Sequence, residues 1–281
     1  MIKRILLPLD PSEYSKSALD YACNLAKRHG ASITGLVVLD IPGIEKSIGP
    51  VPIGGFHYAE KLEKEKAKQA HKRIDSLLEA FEKRCRDENI LFEKSERQGV
   101  PAKNIILESI FYDIVVMGLR TFFHFETDNE PGDSLDKVLD HSVTPIIAVP
   151  ETPVVFNENE KTKTILAFNN TLPSARALQK FAQLACKANY DLTILMSNKE
   201  MELAEFALNE AKQYLEAHGF KDVKTKWTSQ DIVNAFEEKY YEEAEFFVLG
   251  AHSKSGLINF NVGKLNKFLI KEGQKPIMIA Q

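Results

Sequence analysis

The chain has 281 residues, of which 44% are hydrophobic and 27% charged, with a formal net charge of −4. That length fits one large domain or two of ordinary size, and the balance lacks the basic excess of a nucleic-acid binder. The lysines of 61–72 alternate with Glu63 and Glu65 and so form a solvated helix face, and no apolar run of about 18 residues could span a membrane.

The run Ile5–Leu9 is a buried strand that stops at Asp10-Pro11-Ser12. Ser12 or Ser15 caps a helix carrying Ala18, Leu19, Ala22, Leu25 and Ala26, and Gly30 closes it. His29 lies beside that closing glycine, where a positive charge would suit the helix dipole. Ile33–Leu39 is the second strand, so the unit is βαβ and its strands are parallel. Residues 41–57 hold three Pro and four Gly and are expected to form a loop. A long amphipathic helix follows over about Glu60–Glu88, with Ile74, Leu77, Leu78, Phe81 and Cys85 on one face. Then come a strand at Ile90–Ser95, a helix at Ala102–Ile110 opened by Pro101, and a strand at Ile114–Met117 ending on Gly118. A helix at Leu135–Leu139 and a last strand at Pro145–Val149 complete the series. Strands alternating with helices predict an open, doubly wound, mostly parallel sheet. Cys23, Cys85 and Cys186 form no CxxC pair, and Cys23 and Cys186 are expected as core thiols. The start of the chain runs straight into a strand pattern, so no leader is expected and the expected compartment is the cytoplasm.

The pattern then restarts. Residues 151–163 read as a linker between a first domain at 1–150 and a second at 164–281. An offset of 159 residues lays 163–198 on 4–39, with Leu7/Leu166, Ser15/Ser174, Ala18/Ala177 and Leu25/Leu184 identical. Phe247-Val248-Leu249-Gly250 repeats the strand that ends at Gly118, and Pro276–Ala280 repeats Pro145–Val149. The fold predicted is two tandem five-stranded α/β sheets flanked by helices. The last strand of each copy is apolar and reads as an edge, and such an edge invites pairing. An intrachain pseudo-dimer of the two halves is therefore expected, with a larger homodimer as the further option. The first copy is longer, chiefly after its second strand; that segment reads as a lid, a partner surface or a tolerated insertion.

Ligands of doubly wound sheets bind beyond the carboxyl ends of the strands, at the switch point. In the first copy those ends carry Asp10, Val38 and Gly118, and Gly132 precedes a helix, where exposed amides can approach a phosphate. In the second copy they carry Asn169, Ser197 and Gly250, then Ser253, Gly263 and Lys264. The same glycines could instead serve only to permit tight strand-to-helix turns. An Asp after the first strand, then Gly-x-x-Gly, nine residues and Gly-Ser/Thr after the fourth, resembles the universal stress protein family, once per half. The resemblance implies an adenine-nucleotide α-hydrolase-like fold and a stress-response or regulatory role. It also implies a binding site for ATP or a related adenine nucleotide: Asp10 or Asn169 toward the nucleoside, the Val38 backbone toward adenine, and Gly118, Gly132, Gly250, Ser253, Gly263 and Lys264 toward phosphate.

Each half departs from that pattern. Thr121 replaces the second glycine of the first half, the gap to Gly132 is one residue too long, and Asp133 stands where a hydroxyl is expected. The second half keeps the loop length but carries Ser253 for the second glycine and Lys264 for the hydroxyl. Binding is thus expected to be degenerate, with a scaffold acting through protein partners as the alternative. No positioned general base, HExxH motif or metal-ligand set is visible, so turnover is expected to be absent or at most that of a slow ATPase, with no metal. His124, Glu126 and Asp128 read as solvated polarity.

Overall fold

The computed structural model describes residues 1–51, 54–123, 134–154, 160–251 and 263–281. In chain order its elements are β1 (Arg4–Pro8), α1 (Glu13–His29), β2 (Ser32–Leu39), α2 (Ile41–Ile48), α3 (Phe56–Asp87), β3 (Phe92–Gln98), α4 (Pro101–Ser109), β4 (Ile114–Gly118), α5 (Ser134–His141) and β5 (Ile146–Val149). There follow β6 (Thr162–Ala167), α6 (Leu172–Leu184), β7 (Tyr190–Ser197), α7 (Met201–Ala217), β8 (Lys224–Thr228) and α8 (Ile232–Ala235). A π turn (Phe236–Tyr240), α9 (Tyr241–Glu243), β9 (Phe246–Gly250), α10 (Lys264–Glu272) and β10 (Ile277–Ala280) end the chain.

The strands form one ten-stranded sheet in the order β3-β2-β1-β4-β5-β10-β9-β6-β7-β8. Either side of the β5–β10 junction the relative order is the same, and pairing is parallel everywhere except at that junction. There Ile277, Met278 and Ile279 pair antiparallel with Ala148, Ile147 and Ile146. The outer edges of the sheet are instead β3 and β8, whose Glu93, Lys94, Glu96, Arg97, Lys224 and Lys226 are the charged residues that discourage further pairing. Covered on both faces by helices, the inner strands are almost wholly apolar: Ile5, Leu6, Leu7, Val115, Val116, Leu166, Phe247 and Val248 are fully buried.

The register repeats at the offset read from the sequence. Arg4 pairs with Ser32 and Lys163 with Asp191; Ile5 pairs with Ile33 and Thr164 with Leu192. Leu9 N–H donates to Leu36 O at 2.8 Å, and Phe168 N–H to Leu195 O at 2.9 Å. Strand β6 opens at Thr162, so the last two residues of the stretch read as linker already belong to the sheet. One residue is added further on. Val38 pairs with Arg97 and Ser197 with Thr228, an offset of 131 on the second partner, whereas Ile5 pairs with Ile114 and Thr164 with Phe246, an offset of 132. The connection between those strands in the second half contains the π turn, a geometry that takes up one extra residue inside a helix.

The loop expected over 41–57 is in part helical. Asp40 caps α2 through Gly43 N–H at 3.0 Å, Pro42 lies in the first turn, and Ile44 is fully buried. Helix α3 has 32 residues against 17 in α7, so α2 and the added turns of α3 account for the greater length of the first half. Cys23 lies in the core as expected, but Cys186 is only half-buried, just past α6.

Candidate functional site

The strand order reverses twice, between β1 and β4 and between β6 and β9, and each reversal opens a crevice at the carboxyl ends of the strands. The turns that enter the two crevices have the same construction. Asp10 N–H donates to Ser15 Oγ at 3.1 Å and Asn169 N–H to Ser174 Oγ at 3.4 Å. Ser12 Oγ donates to Asp10 Oδ1, and Thr171 Oγ1 to Asn169 Oδ1 at 2.7 Å. Each side chain thus holds its own turn closed, and each serine fixes the start of the next helix.

The contents of the two crevices differ. Asp10 is 4% exposed and both its oxygens are engaged, Oδ1 also by Ser12 N–H at 2.9 Å and Oδ2 by Phe122 N–H at 2.6 Å. Burial raises its pKa, and the bonds from Ser12 and Phe122 oppose that rise. Phe122 stacks on Tyr14 with ring centroids 6.3 Å apart, while Thr121 and Phe123 are buried. The chain after β4 therefore folds back over the residue that the sequence placed toward a nucleoside. Val38 is fully buried, so its side chain faces the core.

Across the second switch point runs a cavity of about 290 Å³. Asn169, Thr171, Ser174, Ser197, Asp231 and Lys264 contribute its polar lining, and Phe168, Pro173, Ile232 and Leu249 its apolar lining. Gly263 opens α10 without a side-chain cap, the first-turn amides of that helix have no intrahelical acceptor, and Lys264 is exposed beside them. Buried Asn266 donates from Nδ2 to Gly250 O at 3.2 Å, tying α10 to the end of β9. A helix N-terminus with a lysine can receive an anion, and the cavity beyond it, lined by Asn169, Ser197 and Asp231, gives the rest of such a ligand space to extend into.

Gly118 and Gly250 have a structural task in these crevices. A Cβ on Gly118 would lie 2.6 Å from Tyr14 Cβ and 2.7 Å from Arg120 O, and one on Gly250 would strike the Pro173 carbonyl and lie 2.6 Å from Ser174 N. Each glycine lets the first turn of the neighbouring helix reach the strand end. Gly132 and Ser253, with His124, Glu126, Asp128 and Asp133, lie outside the described residues. The second cavity therefore gathers Asn169, Gly250, Gly263 and Lys264, and the first crevice holds Asp10 and Gly118. Sequence reasoning missed Asp231 and Asn266. An Asp just before an apolar run was a legible helix-start signal; Asn266 had none, since its role depends on the approach of β9. Among the described residues, no group of three or more His, Cys, Asp or Glu side chains is placed to hold a metal, and no helix is long and apolar enough to cross a membrane.

The family model described as the Universal stress protein family matches residues 1–150. The chain belongs to the universal stress protein family. A universal stress protein of Methanocaldococcus jannaschii is 28% identical over 120 residues, a match covering 42% of this chain and 65% of that relative's length. One from Synechocystis is 20% identical over 297 aligned positions and 99% of both chains. Among solved structures, a universal stress protein from Archaeoglobus fulgidus superposes with a TM-score of 0.70 at 20% identity, covering 99% of this chain and 98% of its own. A universal stress protein fold of Pseudomonas aeruginosa gives 0.61 at 14% identity, covering 99% and 93%. These likenesses extend the family's α/β fold over the full length of the chain.

Proposed function

We propose that this is a tandem universal stress protein, with domains at 1–150 and 164–281, in which the second domain binds a nucleoside triphosphate of the ATP class and the first does not. The observation that carries the reading is the cavity at the second switch point, open from Asn169 to the uncapped start of α10 at Gly263 and Lys264. The phosphates lie on the α10 amides and Lys264, the sugar beside Asn169, and the base toward Ser197. The chain is a cytoplasmic stress-response regulator that holds its ligand without rapid turnover. The repeated register and the β5–β10 pairing support reading the molecule as an intrachain pseudo-dimer. Denaturing the purified protein and analysing the released nucleotide, then titrating ATP by calorimetry, tests the reading. One equivalent bound per chain is expected; no retained nucleotide and no binding at millimolar ATP would sink it.

A second reading, a scaffold acting through protein partners, draws on the first crevice, where Phe122 N–H already engages Asp10 Oδ2. Ordered ATP in the second crevice of a crystal counts against it.

A further inference from the structure

The second crevice has two unlike ends. One is the start of α10 beside the end of β9; the other is formed by the ends of β7 and β8, with Ser197, Asp231 and Ile232. The order β9-β6-β7-β8 places three strand spacings, about 14 Å, between them, enough for a nucleoside with its phosphates. With the phosphates on the cationic end, the base meets Ser197, Asp231 and Ile232.

The side chains at that end accept hydrogen bonds and do not donate them. Ser197 Oγ gives its proton to Gln230 O at 2.6 Å and so turns lone pairs toward the cavity. Asp231 Oδ1 accepts from Val233 N–H at 2.9 Å, and Oδ2 has no partner among the described residues. A carboxylate can only accept. A base placed here must present donors. Guanine offers two in a row, N1–H and the N2 amino group. Adenine offers its N6 amino group beside an N1 lone pair, which a carboxylate repels.

The first half lacks both acceptors. Its counterpart of Ser197 is Val38, and the residue that opens α4, as Asp231 opens α8, is Val100. Asp231 also works as a helix cap, but a cap could be Ser or Asn and needs no charge.

We infer that the second crevice selects guanine over adenine, with Asp231 accepting from the N1–H and N2–H groups of the base. The inference rests on the nucleotide reading of that crevice. Calorimetric titration of the full chain with GTP, ITP and ATP tests it, alongside Asp231→Asn and Asp231→Ser, both of which retain a capping oxygen. GTP is expected to bind about ten-fold more tightly than ATP, the scale of one added hydrogen bond to a charged group, with ITP, which lacks the N2 amino group, in between. Both variants are expected to remove that lead by weakening GTP, and Asp231→Asn is expected to tighten ATP as well, because its amide accepts from adenine N6–H and donates to N1 where the carboxylate repelled it. Equal or tighter binding of ATP by the wild type, or a GTP lead that survives in both variants, overturns base selection and leaves nucleotide binding standing. Failure of all three nucleotides to bind overturns the nucleotide reading and this inference together.

Discussion

Nε2 of His29, at the end of α1, lies 3.3 Å from Sγ of Cys186, just past α6, and so joins the two halves away from the sheet. Ile2 N–H donates to Nδ1 at 3.2 Å, which leaves the proton of the neutral ring on Nε2, toward the sulfur. Burial first, then the Met1 ammonium and Arg28, lower the pKa of His29 to about 4. The sequence suggested a positive charge complementing the helix dipole; the fold holds a neutral ring in a seam.

That depression sets a pH dependence. Between about pH 6.5 and 4 the unfolded chain protonates His29 and the folded chain does not, so this contribution to stability is full above pH 6.5 and declines as pH falls toward 4. Its size is at most about 3 kcal/mol. Asp10, whose pKa burial raises, acts in the opposite sense over its own acidic range. Urea unfolding of the wild type and His29→Gln at pH 7.5 and 4.5 separates the two. The wild type is expected to lose more stability on acidification than the variant; parallel losses would contradict the assignment.

The switch-point glycines give a second test. Gly118→Ala and Gly250→Ala each push a methyl into a neighbouring helix start, and at Gly250 the obstacle is backbone. Each is expected to destabilise by about 2–4 kcal/mol, with Gly250→Ala the worse, because its three nearest obstacles are all main chain, whereas the nearest to Gly118 is Tyr14 Cβ at 2.6 Å, with the main-chain Arg120 O beside it at 2.7 Å. If these glycines served only a ligand, thermal unfolding of the ligand-free protein would be unchanged.

What could be read in advance followed from periodicity. The inner strands lie within a few residues of the expected runs because an inner parallel strand must be continuously apolar, as Ile5–Leu7 and Phe247–Leu249 are, whereas the polar edge strand β8 (Lys224–Thr228) offered no such run. Helix α2 was hidden because it lies in the stretch 41–57, rich in Pro and Gly; its start rests on Asp40 and Pro42, which a reading by composition counts as breakers. The site was legible in position and not in state. Asp10 and Asn169 occupy equivalent turns, but no local pattern states that Phe122, 112 residues away, uses up Asp10 Oδ2.

Asp10 and Lys264 should therefore separate stability from binding. Asp10→Ala leaves Phe122 N–H and Ser12 without their acceptor and is expected to cost about 2–3 kcal/mol of stability with little change in nucleotide affinity. Lys264→Ala sits on an exposed first turn and is expected to leave the melting temperature unchanged while weakening triphosphate binding about five- to ten-fold, as loss of one charge-assisted contact implies. Paired thermal melts and ATP titrations of the two variants check both. A reversal, with Asp10→Ala losing affinity and Lys264→Ala retaining it, would move the binding site to the first crevice.

The β5–β10 junction is the remaining test, because it decides whether the halves unfold together. Met278 is 3% exposed and pairs with Ile147, itself 4% exposed, so the apolar edges of the two halves meet in an interior seam. Met278→Lys places an unpaired ammonium there and is expected to cost about 3 kcal/mol or more, with Met278→Leu nearly neutral. The charge acts on the seam as well as on its own strand. Calorimetry of the Lys variant should then resolve two transitions, one per half, where the wild type and Met278→Leu show one. A single, merely shifted transition in Met278→Lys would mean that cooperativity between the halves runs through contacts outside the sheet, with the His29–Cys186 seam the first to examine.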